Sequence, residues 1–193
     1  MDPKEQRFLS RLRETMIALP YDLKICFSVI ADADLPDEVR RMAVGTVMYV
    51  VGPSDLIPDH VIPVGYVDDA LVLWLTFEEL RRQDPRIVQA HGTGDDFPGT
   101  VESTARTFRE YLGPIYEWLA GKIPGLAKQV YKGKGADHYF LDPEGADFLY
   151  NEAQAFTSDF DLDEEYLGLK LTRGKQVIDA LARKQTEESL RRR

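Results

Sequence analysis

"VGPSDLIPDHVIPVGYVDD" runs from Val51 to Asp69 and carries three prolines, Pro53, Pro58 and Pro63, between two apolar segments. Proline fixes its own φ, lacks a backbone N–H and pushes the preceding residue out of the α region. Pro58 and Pro63 therefore forbid one continuous helix from Val39 to Arg82. The chain must break into short turns and reverse direction between two apolar helices. Gly65 permits a positive φ within the reversal.

The flanks read as those helices. "MAVGTVMYVV" (Met42 to Val51) and "ALVLWLTF" (Ala70 to Phe77) are the longest apolar runs. Neither approaches the ~18 to 20 apolar residues that span a bilayer as a helix. Upstream, Asp residues, Pro36, Asp37 and Glu38 mark a helix start, and Val39, Ala43, Thr46, Val47 and Val50 share one face. Downstream, a helix opens at Asp68 or Asp69, carries Leu71, Trp74, Leu75 and Phe77, and ends near Gln83 before Asp84-Pro85. Arg81 and Arg82 complement the dipole at its end.

Helical spacing continues on both sides. Phe8, Leu12 and Met16 predict a first helix to about Leu19, broken by Pro20, which can open the next. "HGTGDDFPG" (His91 to Gly99) is a turn-rich loop, after which Thr100 is the expected cap of a helix through Val101, Phe108 and Leu119. Gly113-Pro114 should kink that helix or split it in two. A short helix is expected near Leu126 to Tyr131, and "KGKGADH" as a loop. Asp142-Pro143-Glu144 reads as the start of a further helix, and Thr172 to Leu190 as the last. Only "HYFLD" and "YLGLKL" could be strands. The fold class is all-α: a helical hairpin with a proline-rich reversal, plus a helical C-terminal extension. The expected organisation is a helical region over residues 1–90, a loop at 91–99 and the extension over 100–193.

The four aspartates of the reversal are the candidate site residues. Asp55, Asp59 and Asp68 can each cap a helical turn, and Asp69 can occupy a first turn. The same four carboxylates could instead converge on a divalent cation, since hard oxygen ligands suit Mg²⁺, Mn²⁺ or Ca²⁺. His60 could add a nitrogen ligand. A third reading makes the acidic turn a surface for a partner.

Charge and cysteine content narrow the function classes. The net charge of -9 argues against general nucleic-acid binding, which needs a basic surface. Cys26 is the only cysteine, so no intramolecular disulfide and no cysteine-rich zinc site exists. A reducing cytosol fits that usage. The N-terminus lacks the apolar core of a signal peptide. Residues 136–169 hold ten acidic residues and no Lys or Arg, whereas 170–193 hold eight basic against three acidic. That end could fold back onto an acidic face or stay mobile.

Other motifs are weak. "DFDLDEE" (Asp159 to Glu165) lacks the glycine and terminal glutamate of a calcium loop and reads as an acidic turn before a helix. "YKGKGADH" lacks the Gly-Lys-Ser/Thr ending of a phosphate-binding loop. No Gly-x-Ser-x-Gly elbow or His-Glu-x-x-His pair occurs. His91 and His138 read as surface histidines, and Cys26 as packed.

"YVVGPSDLIPDHVIPVGYVDDALVL" (Tyr49 to Leu73) resembles the signature of the YkvA-like family, domain of unknown function 1232. The resemblance rests on Asp55, Leu56, Ile57, Pro58, Asp59, Pro63, Gly65, Tyr66, Asp68 and Asp69. The chain departs from the pattern at Gly52-Pro53-Ser54 and at His60. The resemblance implies a recurring helical hairpin of bacterial proteins with no established enzymatic activity, many of whose members are expected at membranes. The combined expectation is a non-enzymatic interaction or scaffold protein with a protein partner or self-association and no cofactor. The alternatives are a divalent-cation-binding protein, which could be a hydrolase, and a peripheral protein at a membrane surface.

Overall fold

A computed structural model describes residues 2–52 and 64–191. Of the described residues, 81% are helical. Among the described residues the only β structure is one short hairpin, so the fold is all-α. The described residues form ten α-helices, α1 (Pro3–Ala31), α2 (Asp37–Val50), α3 (Val67–Gln83), α4 (Pro85–His91), α5 (Phe97–Leu112), α6 (Pro114–Ala120), α7 (His138–Leu141), α8 (Pro143–Asp159), α9 (Glu164–Lys170) and α10 (Gly174–Arg191). Two 3₁₀ helices, Val64–Tyr66 and Ile123–Lys128, lead into α3 and follow α6.

α3 lies at the centre. Nearly every residue from Val67 to Leu80 is buried, including Thr76 and Glu78. A helix apolar on all sides needs neighbours on all sides. α1, α2 and α5 supply them, with α4, α6 and the second 3₁₀ helix completing the cover. α2 is buried continuously from Met42 to Val50. The Thr46 and Thr76 hydroxyls meet at 2.8 Å between α2 and α3. Each also lies within reach of its own helix's carbonyl four residues back, so the pair is satisfied in the core. Gly45 lets the backbone at Leu126 press directly on α2, where any β-carbon would overlap the Leu126 carbonyl.

Pro20 does not end the first helix. α1 runs through it because Phe8, Leu12, Met16, Leu19, Leu23, Cys26 and Ile30 form one buried stripe spanning both halves. An interior proline costs about 3 kcal/mol. Burying several large apolar side chains at about 1.5–3 kcal/mol each outweighs that.

Several sequence-derived ends hold. α3 stops at Gln83, and the Asp84 side chain accepts from the Arg86 N–H to cap α4. The Asp142 side chain caps α8 by accepting from the Glu144 N–H. The acidic turn gives way to α9, capped by Asp163. The cap of α5, however, is Asp96, which accepts from the Gly99 N–H, and not Thr100. "HYFLD" and "YLGLKL" are helical, as α7 and α9. The expected helix at Leu126 to Tyr131 is replaced by the 3₁₀ helix and a hairpin. Val130–Tyr131 (β1) pairs antiparallel with Lys134–Gly135 (β2) around Lys132 and Gly133, both at positive φ.

The C-terminal end docks through its apolar side. Val177 and Leu181 of α10 are fully buried. Lys122 Nζ pairs with Glu188 at 2.6 Å, and the Gly174 N–H donates to Glu5 at 2.9 Å. One cluster of buried side chains joins Phe8 in α1 to Leu181 in α10.

Gly113 separates α5 from α6 at φ 55°, ψ -125°. Only glycine adopts that backbone without strain. Gly113→Ala should therefore cost about 1–3 kcal/mol, read as a lower urea midpoint at unchanged slope.

Candidate functional site

The far end of the reversal is built into the core. α3 is entered from the Val64–Tyr66 3₁₀ turn, and Tyr66 is its cap residue without a side-chain cap bond. Asp68 is therefore not the cap; it sits with Asp69 in the first turn, where the helix dipole favours a carboxylate. Both are 0% exposed. The Tyr49 hydroxyl of α2 donates to Asp68 Oδ2 at 2.6 Å. Asp68 and Asp69 thus present no surface to a partner. Asp55, Asp59 and His60 lie outside the described residues. Among the described residues, no group of three or more His, Cys, Asp or Glu side chains could hold a metal ion. Tyr49→Phe removes a hydroxyl from a buried carboxylate and should cost about 1–3 kcal/mol in chemical denaturation.

This hairpin is also where the chain meets a known family. Residues 39–75, from α2 into α3, match the family described as Protein of unknown function (DUF1232). The match spans about a fifth of the chain. No curated protein and no solved structure matches the chain.

A second polar site lies on the other side of α3. Asp22 occurs in α1 between Leu19 and Cys26, in register with the buried stripe, and is 7% exposed. The Trp74 indole N–H donates to Asp22 Oδ2 at 3.1 Å. Asp22 Oδ1 has no hydrogen-bond partner among the described residues. Burial raises the Asp22 carboxyl from its ordinary 3.8 to about 7, and the Trp74 bond only partly opposes this. Burial, followed by the charge of Asp22, also pushes the Cys26 thiol up.

Asp22 borders a cleft of about 630 Å³. α1 forms its floor through Arg13, Glu14, Ile17 and Tyr21, with Thr93 and Glu164 as walls. A smaller lobe of about 200 Å³ shares Asp22 and Glu14 and reaches Trp74 and Phe97. Ile17 and Tyr21 are exposed, Tyr21 at 68%, with Lys24 Nζ 4.4 Å from its ring centroid. The sequence reading missed this cleft. Its only local sign was an acid in register with apolar residues.

His91 is not a surface histidine. Its side chain is 10% exposed. Nδ1 lies 2.7 Å from Ser28 Oγ, and Nε2 lies 3.0 Å from Asp32 Oδ2. The three residues have the composition of a nucleophile relay. Ser28, however, sits near the C-terminal end of α1, where free carbonyls rather than N–H groups face outward. An oxyanion formed there would meet the negative end of the helix dipole. The contacts instead tie the end of α1 to the end of α4.

Asp22 also makes stability depend on pH. The folded carboxyl holds its proton above the unfolded value, so its contribution is intact below about pH 4 and is lost as pH rises through about 7. Above that pH the penalty approaches about 4 kcal/mol. Asp22→Asn keeps an acceptor for Trp74 and removes the charge. It should raise the urea midpoint at about pH 8 and change it little at about pH 4.

Proposed function

We propose that the protein is a non-enzymatic interaction protein that seats a basic, partly apolar segment of a protein partner along α1. The observation that carries this reading is the chemistry of the cleft. Glu14, Glu164 and Asp22 bring three carboxyl groups to one concave surface beside exposed Ile17 and Tyr21. Arg11 and Glu14 pair at 3.3 Å and offset each other, and Arg13 faces the same cleft while donating to the Leu171 carbonyl at 2.5 Å, so the acidic groups left for a partner are Glu164 and Asp22. A basic segment complements such a surface, and an exposed aromatic residue supplies the kind of anchor that dominates interface energetics. Self-association is the poorer fit, because two copies at -9 each repel. Among the described residues no helix is long and apolar enough to cross a membrane.

Calorimetry with a short, end-blocked lysine–leucine–serine peptide tests this, with a glutamate-for-lysine peptide as control. The lysine peptide should bind, lose affinity with added salt, and bind about tenfold more weakly to Glu14→Lys and to Tyr21→Ala. Equal binding of the two peptides, or unchanged affinity in both variants, would overturn the reading.

A further inference from the structure

We propose that the cleft takes a lysine or arginine side chain of the partner against Asp22. The proposal rests on the peptide-binding reading above and adds the group recognised and the condition that governs it.

The geometry comes from three elements. α1 places the Asp22 carboxyl at the edge of both lobes of the cleft, more than nine-tenths buried. α3 fixes its orientation by donating from Trp74 to Oδ2 alone. Oδ1 is left without a protein donor among the described residues. A carboxyl so placed normally has a basic partner or several donors. Here it has one donor.

The charged groups around it explain why none of them completes the site. On α1, Arg11 is held by Glu14, Arg13 is held at the Leu171 carbonyl, and Cys26 is a neutral, buried thiol. α9 contributes Glu164, another carboxylate. α3, α5 and the turn before α5 contribute Trp74, Phe97, Thr100 and Thr93, which carry no charge. No cation of the protein pairs with Asp22 among the described residues, while the cleft opens a path to it from solvent. A long side chain with an apolar stem and a cationic head fits such a path: the stem lies on Ile17 and Tyr21, and the head reaches the carboxyl.

Proton exchange follows from burial. Burial holds the Asp22 proton up to about pH 7. A cation at Oδ1 favours the ionised form, so binding expels that proton. Affinity must therefore rise with pH across the neutral range. Lysine and arginine themselves stay charged throughout it.

The experiment is calorimetry of the full chain with the same end-blocked lysine peptide and a copy in which norleucine replaces each lysine in turn. Affinity should rise about tenfold from about pH 6 to about pH 8. Close to one proton should be released per peptide at the lower pH, measured in buffers of different ionisation enthalpy. Asp22→Asn should bind with no pH dependence, and one norleucine position should abolish it likewise. If the peptide binds wild type but affinity and proton release do not change with pH, this proposal fails and the broader reading stands. If the pH dependence persists in Asp22→Asn, Asp22 is not the group. If no lysine peptide binds at either pH, both readings fall together.

Discussion

The structure depends on keeping α3 out of water on every side. A helix buried along its whole circumference cannot choose one partner face, so the rest of the chain is arranged as its cover. α1 and α2 flank it, α5 returns across it, and the smaller helices close the remaining gaps. α2 packs back against α3 with two polar pairs between them, Thr46 with Thr76 and Tyr49 with Asp68.

Burying α3 makes each of its polar side chains consequential. Glu78 forms a two-point ion pair with Arg81 at 2.8 and 3.2 Å. Trp74 turns its N–H toward α1, where Asp22 receives it. The first is satisfied within the helix itself. The second fixes a carboxyl at the wall of a cleft, with one of its two oxygens bonded to Trp74. The cleft is therefore a by-product of the same packing that covers α3, and its carboxyl groups come from α1 and α9, outside the residues that match DUF1232.

What could be read from sequence and what could not divide along a physical line. Signals that act within a few residues were legible: Asp84-Pro85 and Asp142-Pro143 as starts, Gly113-Pro114 as a break, the alternation of turns and stripes as an all-α fold. Each depends on local backbone geometry. Outcomes decided by distant neighbours were not. Pro20 is a breaker by its own chemistry, yet the buried stripe on both sides of it carries the helix through. "HYFLD" is compatible with strand or helix, and packing against α8 and α2 selects helix. Asp68 resembled a cap until the 3₁₀ turn ahead of it moved the helix start to Val67. Asp22 and His91 acquire their partners across dozens of residues, Trp74 and Ser28, so nothing near them in sequence announced the contact.

Gly45 gives the fold an uneven tolerance to change. Its lack of a side chain is the space into which the Leu126 backbone fits, so the smallest residue of α2 is among the hardest to enlarge. Larger neighbours such as Met42 and Met48, also buried, are unbranched and flexible side chains that can readjust. Drift in such a sequence would wander through the bulky core positions while holding this one fixed. A reader ranking α2 by side-chain volume would order its constraints backwards.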